Sequence, residues 1–373
     1  MRFRTSLLIV MAVGLVAASV VAEENKVPQD EELLRYMSRA LAWCPDSTFE
    51  VVDDERRLTP SGAYRIVQVE RKCMNQFLSG ITGVVLDEPG KKIWFGSVTT
   101  LPASQLEGDE QKIKTFIGST LPDLVYENMG TRIEVSWDVD KGKGPSTIMP
   151  FEMRVESGYG TYTKTAGVTI DGVHLLMGAP MPYDRDPVEY RVELFETSPL
   201  VVWDRRSESA KVKIVEFSDL ECPGCRVKWP LIKSAIAKHG EAVAHGMVNF
   251  PLPSIHPWAF RAASAAWCVA KQDPEALVEF KELFYGLQQD MELSMVTGTS
   301  IGYLEDHGLD VEGFRACYLK AESIDAVHGQ MQLGDALSIR ATPTYFVNGW
   351  LVQVPNVAWF PQLIDRIVAG EDP

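Results

Sequence analysis

Two cysteines separated by two residues, Cys222 and Cys225, are the residues in this sequence best suited to chemistry. They lie in the stretch ECPGCRVKWP, just after the apolar run from Lys211 to Phe217. A pair with this spacing can hold a metal ion, form a structural bridge or exchange disulfides with other thiols. The compartment of the protein and the elements that position the two sulfurs decide between these uses.

The metal and structural interpretations both meet physical objections. A zinc site needs two more ligands at suitable spacing, but the other cysteines are isolated and no histidine pair has finger-like spacing. A bridge across only two residues closes a very small loop and therefore removes little entropy from the unfolded chain. Redox chemistry is the interpretation that the spacing favours.

The elements around the pair predict a reactive Cys222 and a shielded Cys225. The run KVKIVEF (211–217) predicts a strand, and SDLECPGC leads into a helical pattern that continues to His239 and is closed by Gly240. Cys222 would then lie at a helix N-terminus, where free N–H groups and the helix dipole stabilise a thiolate. Cys225 lies one turn further into the helix.

The N-terminus predicts export. Arg2 and Arg4 precede the apolar stretch from Leu7 to Val21, and small residues precede the acidic pair Glu23-Glu24. This is the layout of a signal peptide over residues 1–22, so we expect a mature chain in the periplasm or secreted. An uncleaved membrane anchor is the alternative.

Length, charge and cysteine count limit the remaining choices. The 373 residues are enough for two domains, and a formal net charge of −15 disfavours nucleic acid and anionic membranes as partners.

Four of the six cysteines lie outside the CxxC pair and allow three pairings. We expect structural disulfides that join Cys44 to Cys73 and Cys268 to Cys317, because each pair stays within one predicted domain. Free buried thiols at Cys268 and Cys317 are the alternative.

Composition predicts a domain boundary near residue 198. Residues 23–198 read as an α+β domain, and residues 199–373 read as strand, helix, strand and a long helical region. Within the first domain, residues 79–102 resemble residues 163–184, and each stretch follows a helical pattern and two strand-like runs. This pattern suggests an internal duplication of a helix plus a four-strand meander, with chance similarity as the alternative. His174 is isolated in the sequence, which favours a packing role.

From about Lys211 to the C-terminus, the chain resembles the thioredoxin superfamily, and specifically its DsbA-like exported thiol:disulfide oxidoreductases. Besides CxxC, the resemblance rests on Glu216 before the pair, Pro230 after it, and Thr342-Pro343, which matches the cis-proline of the family. A cis X-Pro bond serves a sharp backbone geometry. The implied fold is an α/β thioredoxin-like fold with a DsbA-type helical insertion at about 255–338, preceded by the α+β domain.

The resemblance also implies roles for individual residues. Cys222 would be the attacking thiolate, Cys225 the resolving thiol, and Glu216 the group that exchanges a proton with Cys225. Thr342 and Pro343 would bind the extended substrate chain by strand pairing. No cofactor is implied, only cysteine-containing exported proteins as substrates and a redox partner that resets the pair; a homodimer formed through the N-terminal domain is a further candidate.

The dipeptide between the cysteines, Pro223-Gly224, lacks the histidine that strongly oxidising relatives carry, and Asp219 and Glu221 add negative charge nearby. We therefore expect a higher Cys222 pKa than in those relatives, and the direction of exchange stays open between oxidation and isomerisation.

The rival from another class is a non-catalytic chaperone or assembly factor that uses the fold as a scaffold. A copper-delivery role would want a histidine near the cysteines, for which His256 is the one loose candidate.

Overall fold

The computed structural model of the chain describes residues 29–44, 46–74, 78–102, 106, 108–126, 132–137, 145–157, 160–205, 209–352 and 359–371. The predicted signal peptide lies outside these residues. Within them, no helix is both long enough and apolar enough to cross a membrane.

The first half of the described chain forms two antiparallel five-stranded sheets. The helices and strands of this half are α1 (Glu31–Ala40), β1 (Thr48–Thr59), β2 (Gly62–Lys72), β3 (Gly80–Asp87), β4 (Lys92–Trp94), β5 (Val98–Thr100), α2 (Glu110–Tyr126), β6 (Arg132–Ser136), β7 (Ile148–Ser157), β8 (Gly160–Thr169), β9 (His174–Met177) and β10 (Pro180–Pro182). The first sheet has the order β1-β2-β3-β4-β10, and the second has the order β5-β9-β8-β7-β6.

Each sheet buries one face against one helix. The apolar stripe of α1, with Leu33 and Met37, packs on valines of the first sheet such as Val67, whereas Ile113 and Ile117 of α2 pack on the second sheet. These side chains recur at helical spacing, which is how the sequence directs one helix face to a sheet.

The two sheets exchange their last strands. Strand β5 follows the first meander but pairs with β9, and β10 follows the second meander but pairs with β4. Residues 31–100 and residues 110–182 therefore each contain a helix, a four-strand meander and a fifth strand that pairs in the sheet of the other segment. The predicted duplication had the helix and the meander but missed this fifth strand, and the duplication itself stays a hypothesis.

The second half of the described chain is built on a mixed sheet with helices on both faces. Its elements are α3 (Pro187–Thr197), β11 (Val202–Arg205), β12 (Val212–Ser218), α4 (Pro223–His239), a 3₁₀ turn (Gly240–Ala242), β13 (Val243–Asn249), α5 (Ala259–Gln272), α6 (Ala276–Leu287), α7 (Val296–Asp306), α8 (Val311–Cys317), α9 (Ala321–Ala336), β14 (Thr344–Val347), β15 (Trp350–Val352) and α10 (Trp359–Ala369). The sheet order is β11-β13-β12-β14-β15.

Strand β12 is the centre of this sheet. It runs parallel to β13 and antiparallel to β14, and nearly all of its residues are buried. Its mostly apolar, β-branched sequence suits a strand that is covered on both faces. The strand ends at Ser218, and the next residues carry the chain into α4, so the strand and helix together fix the CxxC pair in space.

Helices α5 to α9 form the predicted insertion between β13 and β14. They span Ala259 to Ala336, close to the expected 255–338. A disulfide joins Cys268 on α5 to Cys317 at the end of α8, and a second joins Cys44 to Cys73 in the first half. Both are the pairings that the sequence analysis favoured, and such bridges stabilise a fold by about 2–4 kcal/mol each.

The region of the predicted boundary is packed from both sides. Phe195 of α3 lies before residue 199, yet it is buried against Phe217 and Phe346 of the second-half sheet. Arg191 of the same helix is buried and donates hydrogen bonds to the carbonyls of Ala40 and Gly349. Helix α3 therefore packs in the core of the second half, whereas a boundary at 198/199 would assign it to the first domain.

Candidate active site

Cys222 is the N-cap of α4, and Pro223 occupies the first position of the helix. Proline suits this position because its missing N–H would be unpaired there in any case. Cys225 lies in the first turn and is fully buried, whereas Cys222 keeps 8% of its surface exposed. Both are free thiols in this structure. The arrangement gives one sulfur access to a partner and shields the other.

The two thiols have opposite tendencies to ionise. The hydrogen bond from Cys225 lowers the pKa of Cys222 to about 5, and the backbone N–H groups of Cys225 and Gly224 act in the same sense against the effect of burial. Burial raises the pKa of Cys225 well above its usual range, and the negative charges of Cys222 and Glu216 raise it further. The site therefore favours a thiolate on Cys222 and a thiol on Cys225.

The loop before β14 closes over the pair. The Thr342–Pro343 peptide bond is cis, and Sγ of Cys222 lies 3.4 Å from the carbonyl oxygen of Thr342. A Cβ atom at Gly224 would lie 3.3 Å from Cδ of Pro343 and 3.5 Å from Sγ of Cys222. A side chain at residue 224 would therefore be slightly crowded by Pro343 and in ordinary contact with the sulfur.

Glu216 belongs to a buried cluster of four ionisable side chains. Its Oε2 atom lies 3.1 Å from Nζ of Lys281 and 3.3 Å from Nε2 of His245. Nδ1 of His245 lies 2.8 Å from a carboxylate oxygen of Asp204, and all four side chains are fully buried. Lys281 also lies 3.3 Å from the centroid of the Trp229 ring, a favourable cation–π contact.

These contacts set the charges of the cluster. Burial alone would raise the pKa of Glu216, but Lys281 and His245 overcome it and lower the pKa to about 2. Burial alone would lower the pKa of His245, but Asp204 and Glu216 raise it. These contacts favour an ionised Glu216 and a protonated His245, and pairing groups of opposite charge avoids an uncompensated buried charge.

The sequence analysis expected Asp219 and Glu221 to oppose a thiolate on Cys222. In the structure both carboxylates bind other groups. Asp219 is buried, accepts a hydrogen bond from the N–H of Leu252 and lies 2.7 Å from Nδ1 of His256. Glu221 accepts a hydrogen bond from the N–H of Trp258. Neither carboxylate is among the main influences on the pKa of Cys222. The hydrogen bond with Asp219 raises the pKa of His256, and the charge of Cys222 acts in the same sense.

The structure brings together Cys222, Cys225, Glu216 and the Thr342-Pro343 loop, as the sequence analysis expected, and places Pro230 inside α4. It keeps His174 apart, in a contact with Tyr64 between the two sheets of the first half.

Sequence reasoning missed Asp204, His245 and Lys281. For His245 the available signal was a titratable residue inside the otherwise apolar run VAHGMV, whereas Lys281 lies between two glutamates in EFKELF and gave no such signal. Such residues need a buried partner, although the sequence does not say which one.

Among the residues that the structure describes, no group of three or more histidine, cysteine or acidic side chains is arranged to hold a metal ion. His256 lies next to Asp219, and that ion pair occupies its Nδ1 atom. Among the described residues, this geometry provides no set of ligands for copper.

A central parallel strand pair, a CxxC at the start of the following helix and a cis-proline loop beside it define the thioredoxin class of folds. Comparison with known proteins agrees. A family model described as Thioredoxin matches residues 207–366. Disulfide bond formation protein D of Bacillus subtilis (strain 168) is 30% identical over 165 residues, which cover 43% of this chain and 72% of that protein. The chain therefore belongs, through its C-terminal part, to the thioredoxin family that includes disulfide bond formation protein D.

Other similarities cover one part of larger or more distant proteins. Na(+)/H(+) antiporter NhaA 3 of Salinispora tropica is 29% identical over 145 residues, which cover 39% of this chain and 21% of that protein. The chain spans about a fifth to a quarter of the length of the first curated relatives it matches. The crystal structure of oxidised BdbD from Bacillus subtilis is 25% identical, with a TM-score of 0.39, over 45% of this chain and 94% of that chain.

Proposed function

We propose that this protein is an exported thiol:disulfide oxidoreductase that exchanges disulfides with cysteine-containing proteins through Cys222 and Cys225. The observation that carries the proposal is the different placement of the two sulfurs: Cys222 is the N-cap of α4 beside the cis-proline loop, whereas Cys225 is fully buried in the first turn. This placement lowers the pKa of Cys222 and raises that of Cys225. A structural bridge needs no such asymmetry, and the thiolate is the species that attacks disulfides.

In the oxidising direction, a substrate thiolate attacks Sγ of Cys222 in the Cys222–Cys225 disulfide, and Cys225 leaves and takes up a proton. A second substrate thiolate then attacks the mixed disulfide and expels Cys222 as a thiolate. The substrate dithiol becomes a disulfide and the enzyme becomes a dithiol, so a redox partner must accept two electrons to reset the pair. In the reducing direction Cys222 attacks a substrate disulfide, and Cys225 resolves the mixed disulfide.

Geometry supports a role for the cis-proline loop and for Glu216 in these steps. The carbonyl of Thr342 lies within 3.4 Å of the attacking sulfur, where an extended substrate chain would run past Cys222. Backbone pairing with Thr342 would hold that chain, as in other strand-addition modes. Glu216 lies close enough to Cys225 to influence its pKa and would exchange a proton with it.

Two disulfides outside the site support an oxidising compartment, since such bridges persist there and are rare in the cytosol. We therefore place the function outside the cytoplasm. The scaffold alternative gains no support from the site, because both cysteines and the cis-proline are present.

The test is a trapping experiment with a denatured, disulfide-containing client such as scrambled ribonuclease. Cys225→Ser leaves Cys222 able to attack but removes the resolving thiol, so we expect a mixed disulfide that persists on non-reducing electrophoresis. Cys222→Ser is the matched control and should trap nothing. A passive scaffold would give no covalent complex with either variant.

A further inference from the structure

A cleft lies between the first sheet of the first half and the segment that leads into the cis-proline loop. Its volume is about 440 Å³, which is typical of sites that hold a ligand. Ile81 and Gly83 of strand β3 lie on one wall, and Leu337 and Arg340, which follow helix α9, lie on the other. Strand β3 is outside residues 207–366, so the family match does not account for this wall.

Strand β3 has an unpaired edge where it borders the cleft. The pairing of β4 with β3 covers Val85, Leu86 and Asp87. Among the described residues, no strand pairs with the Gly80–Val84 segment on that side, whereas β2 pairs with it on the other. Such an edge presents backbone N–H and C=O groups to which an extended chain can add as a further strand.

The surroundings of this edge are open and apolar. Ile81 keeps 61% of its surface exposed. A Cβ atom at Gly83 would have no described atom within 4 Å. Phe95 and Leu351 add apolar surface to the cleft. An exposed isoleucine beside a free strand edge and further apolar walls is typical of an interaction site.

The charge of the cleft limits what suits it. Its charged lining residues are Arg191 and Arg340, and no carboxylate is among the described residues that line it, although the chain carries a formal net charge of −15. The side chain of Arg340 is half exposed, and its ion pair with Asp335 is long, at 3.7 Å. A neutral or acidic segment therefore suits the cleft better than a basic one, whereas the net charge disfavours a second copy of the chain.

The cleft continues towards the reactive sulfur. Arg340 lies two residues before Thr342, a separation of at most about 7 Å along the chain. The carbonyl oxygen of Thr342 lies 3.4 Å from Sγ of Cys222. Because each residue of an extended chain spans about 3.3 Å, a polypeptide bound at Cys222 reaches the cleft within a few residues of its own cysteine.

We propose that this cleft binds an extended segment of the client polypeptide, which adds as a strand to the free edge of β3 while the client cysteine reacts with Cys222. This inference rests on the proposed function and names where the rest of the client chain binds. An unfolded polypeptide reaches both places, whereas a compact thiol such as glutathione reaches Cys222 alone. The linked second contact raises the affinity for a long client without any change at the sulfur.

The first test compares a long and a short substrate of the reduced full chain. The long one is a peptide of about 20 residues, enough to extend from Cys222 to β3 on either side of its central cysteine. The short one is glutathione, and in both the sulfur is bonded to nitrothiobenzoate. Attack by the Cys222 thiolate on that sulfur forms the mixed disulfide and releases coloured nitrothiobenzoate, so the half-saturating concentration and the maximal rate are both measured.

Ile81→Asp places a charge beside the free edge, and Leu58→Asp is the matched control. Leu58 is also an exposed aliphatic residue of the same sheet, but it pairs with Ala63 at one end of β2, whereas Ile81 pairs with Glu70 towards the other end. We expect Ile81→Asp to raise the half-saturating concentration of the peptide at least about tenfold, because a charge replaces an apolar contact. Its maximal rate and its reaction with the glutathione substrate should not change.

Two further comparisons sharpen this test. Ile81→Val keeps an apolar side chain and should retain the affinity for the peptide, and Leu58→Asp should follow the wild type with both substrates. A peptide with glutamates in its flanks should half-saturate the wild type at a lower concentration than its counterpart with lysines, because the charged lining residues are arginines.

Hydrogen exchange locates the bound chain without any change in β3. The Cys225→Ser variant is linked through Cys222 to the peptide or to glutathione, and exchange is followed by mass spectrometry. The amides of residues 80–84 should exchange at least about tenfold more slowly in the peptide complex, because the added strand protects them.

Three outcomes overturn the inference while the exchange function stands: equal affinities of Ile81→Asp and Leu58→Asp for the peptide, a preference for the lysine peptide, or exchange at residues 80–84 that the peptide does not slow. Protection of these amides in the free protein that grows with protein concentration would also overturn it, because a second copy would then occupy the edge. A wild type that releases no nitrothiobenzoate from the glutathione substrate would instead refute the proposed function.

Discussion

The chemistry of the site depends on a difference between two cysteines that are three positions apart. Cys222 has the free N–H groups of a helix start and a donor thiol beside it, whereas Cys225 has burial and two negative neighbours. The same residue type therefore becomes a nucleophile at one position and a protected thiol at the other.

This difference predicts how alkylation of the reduced protein depends on pH. Because the pKa of Cys222 is lowered from 9.0 to about 5, its rate of reaction with iodoacetamide should rise through about pH 5 and be level at neutral pH. Peptide mapping after brief labelling should find the label on Cys222. A rate that still rises steeply towards pH 9.0, or label on Cys225, would show that the site does not stabilise the Cys222 thiolate.

At this scale the sequence predicted the site residues that belong to a local motif. It did not predict those whose partners are distant in the sequence. CxxC and the Thr-Pro before a strand are local patterns, so Cys222, Cys225 and Pro343 could be found. Lys281, His245 and Asp204 are single residues in three different elements, and only the tertiary fold brings them to Glu216.

At the scale of elements, helix α9 closes the insertion against the sheet, and its fit depends on a glycine. A Cβ atom at Gly334 would lie 2.3 Å from the ring of Phe250, which follows β13 and is itself buried. Gly302 of α7, by contrast, has open space in the direction of a Cβ atom. The two glycines occupy helices of the same insertion but face different surroundings.

We expect opposite effects on the free energy of unfolding when each is changed to alanine. Gly334→Ala should destabilise by about 1–3 kcal/mol, because the packed ring of Phe250 must move. Gly302→Ala should stabilise by up to about 1 kcal/mol, because alanine favours a helix interior over glycine. Denaturant titration of the two variants measures both. Equal and small effects would mean that α9 is not packed tightly against Phe250.

The exchange of strands in the first half shows where element prediction fails. The sequence analysis anticipated strand-like runs in the first meander at residues 49–52 and 63–70, but β1 continues through polar residues to Thr59. Strands β5 and β10 have three residues each, too few to display a period, and their partners lie in the other half of the domain.

At the scale of the whole molecule, the two halves are joined by specific contacts and not by a bare linker. Lys164 of β8 forms an ion pair with Asp335 of α9, and the N–H of Trp43 donates to the carbonyl of Leu351. Arg191 ties the end of α1 to the turn between β14 and β15. Composition predicted a change of architecture near residue 198, but it could not show that α3 packs with the later half.

The six cysteines also divide at this scale into one reactive pair and two bridges. The account requires that only Cys222 and Cys225 cycle. A low pKa of Cys222 stabilises the reduced form and makes the pair oxidising, whereas structural disulfides resist reduction by glutathione.

The most direct test is equilibration of the full chain with graded mixtures of reduced and oxidised glutathione, followed by acid quenching and mass mapping of all cysteines. We predict a single two-electron transition at Cys222 and Cys225, with a potential of roughly −130 to −220 mV, while the bridges at Cys44 and Cys268 stay intact. A Cys222–Cys225 bridge that stays oxidised to below about −300 mV would contradict the account, because it would then behave as a structural disulfide.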